Sequence, residues 1–223
     1  MSTENEDEIR EDSDRKYHYD DLWDRTPSAK VTVDGQETTE YFRVFWKSNS
    51  ESENLPVKEI PIDSSEKNGL WYNADNSRIL AYKKLKEAEL LAAGENRKLS
   101  SANKDDRIYI EDKLLNSVWY SGKATKELED ELKATGQNDP AIISSDGIIW
   151  NANRRTAVRQ KLFRDTGDPK WNKEKAVRLP TMSFKALKEL EHRYEHETGR
   201  NIQEELDGKG LHDLYRHTTK LIK

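Results

Sequence analysis

Two adjacent arginines, Arg154 and Arg155, stand where a short apolar run breaks into a segment patterned as a helix. Ala141 to Ile143 and Ile148 to Trp150 flank an Asp146-Gly147 pair, the signature of a tight hairpin, and Asn151 breaks the second run. The hairpin therefore delivers both guanidiniums to a helix start. Backbone N–H groups in the first turn of a helix lack an intrahelical acceptor, and guanidinium forks beside them match a phosphate. The competing reading is a basic helix that faces water, the usual fate of arginine. In the helical frame Ala157, Val158, Leu162 and Phe163 share one face, while Arg154, Arg155, Arg159 and Lys161 fall mostly elsewhere. His192 and His196, spaced i, i+4 with Glu189 and Glu195 nearby, have metal-ligand types, but the uniformly charged helix around them favours a solvated face. The chain has no cysteine, which excludes disulfides, thiolate metal sites and cysteine-based catalysis.

The 223 residues suffice for one sizeable domain, or one domain with an appended helical piece. Charged residues make up 36% and hydrophobic ones 33%, so part of the chain is expected outside the core. No stretch has the roughly 20 apolar residues of a membrane span, and no apolar run near Met1 reads as a signal peptide, so a cytoplasmic protein with no membrane partner is expected. The net charge of −5 hides an asymmetry. Residues 1–21 hold nine acids against three bases, whereas residues 151–188 hold eleven Lys or Arg against three acids. The basic segment predicts an anionic partner, a nucleotide or a DNA backbone, and the acidic tail could fold back on it and mask it.

The elements that position the arginines follow from patterning. Residues 1 to about 20 read as disordered, and Tyr17, Tyr19, Leu22 and Trp23 form an aromatic cluster that could dock as a strap; residues 1–27 are set apart as an acidic tail. Lys30–Val33 and Tyr41–Trp46 alternate around an Asp34-Gly35 turn and predict an antiparallel pair, followed by a loop from Ser48 to Asn54. Leu55 to Ile62 carries prolines that suit an edge strand. Helices are expected from Ile79 to about Ala93, from Ile110 to Tyr120, and from Thr125 to Gly136. After the central hairpin, Val177 and Leu179 form a short apolar run ended by Pro180. Ser183 could cap a helix reaching Gly199, with further helix from Asn201 onward. Trp119 and Trp150 read as core residues.

Three segments together resemble the ParB/sulfiredoxin superfamily, over roughly residues 55–195. Asn73-Ala74-Asp75-Asn76-Ser77-Arg78 is similar to the Asn-Pro-x-Gln-Pro-Arg segment of the ParB N-terminal domain, keeping the first Asn and the last Arg. Gly136, Pro140, Ile142 and Ile143 resemble that family's Gly-x-x-x-Pro-x-x-Val approach to a strand, and Asn151-Ala152-Asn153-Arg154-Arg155 sits where the family has its Arg-Arg box. The resemblance implies an α+β fold, a small mixed sheet with packed helices, spanning residues 28–180 with a helical insertion at about 79–120 and C-terminal helices over 181–223 completing the site. It implies a nucleotide, CTP in partition proteins or ATP in sulfiredoxins, held with Mg²⁺. Asn153, Arg154, Arg155 and Thr156 would contact the phosphates and Arg78 would close the site. Glu189-Leu190-Glu191-His192-Arg193 lies at a place comparable with the family's Glu-Asn-x-Gln-Arg segment. By that likeness Glu189 would hold the metal and orient a water, with Glu191 as the other acid able to do so, and Arg193 would reach the phosphates.

The departures shape the expected function. Ala152 replaces the glycine of the box, which demands strain if that backbone needs a positive φ. Asn76 and Ser77 replace Gln and Pro, and the interval from Arg78 to Gly136 is longer than in partition proteins. After Arg193 there is no clear helix-turn-helix, so site-specific partition activity is not expected of this chain alone. Sulfiredoxin chemistry needs a cysteine. The expectation is a ParB-like nucleotide-binding protein, a Mg²⁺-dependent NTP switch or weak NTPase, acting with DNA or a DNA-processing protein partner. Two alternatives remain: a small-molecule kinase of the same fold, or a DNA-backbone-binding or nuclease-like accessory protein that uses no nucleotide.

Overall fold

A computed structural model describes residues 13–48, 51–62, 69–116 and 122–197. The chain begins with helix α1 (Ser13–Arg25) and two small hairpins, β1 (Lys30–Val33) with β2 (Gln36–Thr39) and β3 (Tyr41–Ser48) with β4 (Glu51–Pro56). Then come β5 (Lys58–Pro61), β6 (Trp71–Tyr72), α2 (Leu80–Ala92), α3 (Lys104–Asn116) and α4 (Gly122–Thr135). The last elements are β7 (Ala141–Ile143), β8 (Ile148–Asn151), α5 (Asn153–Thr166), β9 (Lys173–Arg178) and α6 (Phe184–Glu197). The fold is mixed α+β.

The central sheet has five strands in the order β5-β9-β7-β8-β6. β7 pairs antiparallel with β8 and parallel with β9, β6 pairs parallel with β8, and β5 closes one edge antiparallel to β9. That edge strand ends in Pro61, which has no N–H to offer a further neighbour. Both faces of the sheet are covered, which explains why β7 and β8 read as unbroken apolar runs. Successive side chains alternate between two cores: Ala141, Ile143, Ile149 and Ala176 join the helical layer with Ile110, Leu114, Val158 and Leu162. Ile142, Trp150 and Val177 join the opposite layer with Val44, Leu55, Leu187 and Leu190.

Three expectations fail for identifiable reasons. Asp34 and Gly35 both have positive φ, 51° and 80°, the geometry of a two-residue hairpin loop. Such a loop forces Val33 opposite Gln36, so β1 pairs with Gln36–Thr39 and not with Tyr41–Trp46. Tyr41 onward must find another partner, and it takes Glu51–Pro56, so most of the expected Ser48–Asn54 loop is strand. The tail expected to be irregular is helical from Ser13 to Arg25. Tyr19, Leu22 and Trp23 fall at i, i+3 and i+4, so one face is apolar despite the surrounding acids. Tyr19 is 0% exposed. Arg178 lies over both rings, at 5.5 Å from the Tyr19 centroid and 5.9 Å from that of Trp23, and is ion-paired with Asp20. The acidic segment thus folds back onto a cation of the basic one. The readings placed on residues 1–12, on Trp119 and on everything from residue 198 onward lie outside the described residues.

Candidate functional site

The β7–β8 hairpin turns at Gly147, whose φ is +80°. A Cβ there would lie 2.5 Å from a ring carbon of Tyr19, so the turn needs glycine both for its backbone and for the docked helix α1. Beyond β8, Ala152 adopts φ 83°, ψ 15°, the left-handed conformation that its alanine disfavours by about 1–2 kcal/mol. This strained residue swings the chain from strand into α5. No side chain caps the helix start.

Asn153 and Thr156 are both spent on the backbone here. Asn153 Nδ2 donates to Ile149 O at 2.8 Å, and its Oδ1 accepts from the Asn73 N–H at 2.8 Å. Thr156 Oγ1 donates to Ala152 O at 3.0 Å. Asn73 in turn accepts from the Asp75 N–H at 2.9 Å, and Asn76 accepts from the Arg78 N–H at 3.1 Å, so residues 73–78 form two consecutive side-chain-closed turns. Arg78 is half-buried at the end of them.

Helix α6 meets these turns through Glu191, not through Glu189. Asn76 Nδ2 donates to Glu191 Oε1 at 2.9 Å, and Lys188 Nζ donates to Glu191 Oε2 at 2.7 Å. Glu191 is 2% exposed. Glu189 is exposed and makes no hydrogen bond or ion pair among the described residues. Lys188 also donates to the Asp75 carbonyl, and Lys83 of α2 pairs with the Asp75 carboxylate. Arg193 donates to Phe45 O at 3.2 Å, on the side of β3.

The arginine pair turns inward. Arg155 Nε reaches Glu174 Oε1 at 3.0 Å, and Arg159 Nε lies 3.2 Å from Glu174 Oε2; Glu174 is fully buried. Gln137 Nε2 donates to the same Glu174 Oε1 at 2.9 Å. Burial pushes the Glu174 carboxyl up while the two guanidiniums pull it down, and the net direction is up. Arg154 Nη2 donates to Thr125 Oγ1 at 3.2 Å. Neither expected reading of the pair describes this geometry: Arg155 faces neither water nor an open phosphate site but a buried acid. The signal available in sequence was Glu174 itself, two positions before Ala176 on the same inward face of β9.

The rest of the basic segment is treated similarly. Lys161 pairs with Glu129 and Asp165, Arg164 with Glu111, Lys170 with Asp168, Lys175 with Glu40 and Arg178 with Asp20. With Arg155, Arg159 and Lys188, eight of the eleven cations between 151 and 188 have acidic partners.

A cavity of about 380 Å³ opens beside the 73–78 turns. Its polar wall includes Asn73, Asp75 and Asp146, and its apolar wall includes Trp71, Trp150 and Phe184. No lysine or arginine lines it. Asp75 Oδ1 takes Lys83, and Asp146 Oδ1 accepts from Ser144 Oγ. Asn73 and Trp150 are 3% and 5% exposed, and Asn73 Nδ2 and Trp150 Nε1 have no hydrogen-bond partner among the described residues. The described residues contain no group of three or more His, Asp or Glu able to hold a metal ion, and no described helix is long and apolar enough to cross a membrane. Comparison of the chain with protein-family models, with curated proteins and with solved structures gives no match.

Proposed function

We propose that the chain is a nucleotide-binding module of ParB-like type. One observation carries this reading. Three of the segments compared with the family's motifs, residues 73–78, 151–155 and 189–193, are remote in sequence, and the first is tied to each of the other two by a short hydrogen bond. Asn73 N–H bonds Asn153 Oδ1 at 2.8 Å, and Asn76 Nδ2 bonds Glu191 Oε1 at 2.9 Å. The 380 Å³ cavity beside them is within the size range of small-molecule sites.

The division of labour differs from the sequence expectation. The uncapped first turn of α5 offers backbone N–H groups to a phosphate, and Arg78 and Lys188 flank the turns with positive charge. Arg154 and Arg155 would contribute only by leaving Thr125 and Glu174. Mg²⁺ would arrive with the phosphates and would not be held by Glu191, both of whose oxygens are already bonded. Its chemistry would be neutralisation of the phosphate oxygens. Action with DNA stays part of the proposal through Lys173 and Lys185, exposed and without an acidic partner among the described residues, and exposed Val31, Val33 and Tyr41 are apolar surface for a protein partner.

The kinase alternative also has an observation in its favour. A wall with Asp75, Asp146 and serine hydroxyls suits a small hydroxylated substrate. Calorimetric titration with CTP, ATP, GTP and UTP, each with and without Mg²⁺, tests the common premise. Saturable binding of one nucleotide, weakened at least tenfold in Arg78→Ala and Lys188→Ala, is the expected result. Failure of all four to bind a folded sample would overturn the switch and kinase readings together.

A further inference from the structure

We propose that the outer edge of strand β1 is a pairing surface for a second copy of this chain, joined antiparallel across a twofold axis at Thr32. The proposal stands apart from the nucleotide reading and uses none of its residues.

The hairpin of β1 and β2 is a sheet of its own, and every residue of β1 and all but the last of β2 are exposed. Val31 and Val33 are 41% and 52% exposed. A two-stranded hairpin with no packed face is marginal in water, and its free edge is a template for another strand. The backbone shows which groups of that edge are open. Val33 stands opposite Gln36 beside the two-residue loop, and the Glu40 N–H donates to Ala29 O at 2.9 Å, so the odd-numbered residues of β1 bond across to β2. The N–H and C=O of Lys30 and Thr32 therefore point away from β2. Ser28 already bridges to Lys58, so the open stretch runs from Lys30 to the turn at Asp34.

That stretch is complementary to itself. Its centre is Thr32, and antiparallel pairing over its whole length sets Thr32 opposite the partner's Thr32, so that the outward N–H and C=O groups of the two edges meet. Val31 then faces the partner's Val33, and Lys30 faces the partner's Asp34. Paired β-branched residues, paired threonines and opposite charges each stabilise neighbouring strands. Lys30 and Asp34 are exposed and have no partner of opposite charge among the described residues, so the match at both ends of the edge is free to form. A shift of the axis to Val31 would call on Ala29, whose N–H is already given to Val57 O at 2.7 Å. The edge of β2 offers no such match, since Gln36 to Thr39 carries a single charge, Glu37. An isologous contact of this kind closes on two copies, and its small size places it with weak, concentration-dependent associations.

The test is sedimentation velocity of the full chain from low to high micromolar concentration, with variants first checked for native far-UV dichroism. Thr32→Pro removes the outward N–H and leaves the bonds to β2, which run through Val31 and Val33. Lys30→Glu, at an exposed position, sets like charges together at the partner's Asp34. A wild-type dimer that each variant weakens at least tenfold is the expected result. Cross-linking then reads the register. The chain has no cysteine, so a disulfide dimer of Thr32→Cys forms only through residue 32. Its two Cα atoms would lie roughly 5.5 Å apart, within the reach of a disulfide. Glu37→Cys, one strand further from the axis, should stay monomeric under the same oxidation. A chain that is monomeric at every concentration would overturn the proposal. So would a dimer that survives both Thr32→Pro and Lys30→Glu, or equal cross-linking at positions 32 and 37, because either places the contact elsewhere.

Discussion

Glu174 offers the sharpest test of how this fold holds its arginines. Replacing it with alanine removes the acceptor of Arg155 Nε at 3.0 Å, Arg159 Nε at 3.2 Å and Gln137 Nε2 at 2.9 Å. Removing one partner of a buried ion pair costs roughly 3–5 kcal/mol. The lower end applies here. Arg159 keeps the Lys173 and Lys170 carbonyls, Gln137 keeps Asp139 and Lys175, and Arg155, with a side chain 19% exposed, can turn toward water. A loss of about 3 kcal/mol, at a urea slope of about 2 kcal/mol/M for a chain of this size, moves the unfolding midpoint down by roughly 1.5 M. Glu174→Gln retains an acceptor oxygen and should lose less. The triple replacement Arg155→Met, Arg159→Leu, Glu174→Met removes every buried charge of the cluster and should recover most of the loss. Because the folded carboxyl is raised, the folded state holds its proton more tightly than the unfolded chain. Its contribution is therefore complete below the ordinary value of 4.5 and is lost as pH rises through the folded value, a slope that Glu174→Gln should flatten. A wild-type midpoint for Glu174→Ala would refute the argument.

The remaining predictions concern the hairpin, the helix start and a surface cluster. Gly147→Ala places a methyl 2.5 Å from the Tyr19 ring at φ +80°; loss of at least 1–2 kcal/mol with faster hydrogen exchange in α1 is expected, and unchanged exchange would contradict the docking described. Ala152→Gly relieves about 1–2 kcal/mol of left-handed strain against roughly 0.5–1 kcal/mol of added chain entropy, so the melting temperature should rise by about 2 °C; a fall would mean that the methyl packs for more than it strains. The Glu129 carboxyl is held down to about 2, chiefly by the Lys133 hydrogen bond and then by Lys161. Its stabilisation is present above 4.5 and lost as pH falls toward 2, and a carboxyl carbon NMR titration should show Lys133→Ala moving it upward.

What sequence could disclose here was whatever is local. The hairpin is written in a contiguous Ile-Ile, Asp-Gly, Ile-Ile-Trp pattern, and it forms where that pattern stands. The box position where Ala152 replaces glycine indicates where strain would lie if the backbone required a positive φ, and φ there is 83°. The small hairpins were misassigned because alternation says which residues are strand and not which strand they meet; a two-residue loop settles that, through Asp34 and Gly35. The cavity was illegible for a different reason. Its wall comes from residues 71–75, 99–102, 144–150 and 182–187, none of which is unusual alone. Asp75 lies inside the 73–78 segment without being one of the positions that carried its resemblance, and Asp146 reads in sequence as a turn residue.

The charge pattern shows why counting ions along a chain misleads about surfaces. Residues 151–188 carry a strong positive excess, but the acids that answer it come from Asp20, Glu40, Glu111, Glu129 and Glu191, outside that segment. Several of these acids are largely buried, so each pair removes a cation from the surface by drawing it onto the fold. A phosphate backbone approaching Arg164 or Arg178 would have to displace Glu111 or Asp20 before gaining that cation. The segment-wise asymmetry is therefore better understood as complementarity within the chain than as an external field. It directs attention away from the basic helix and toward the cavity beside residues 73–78, which no lysine or arginine lines.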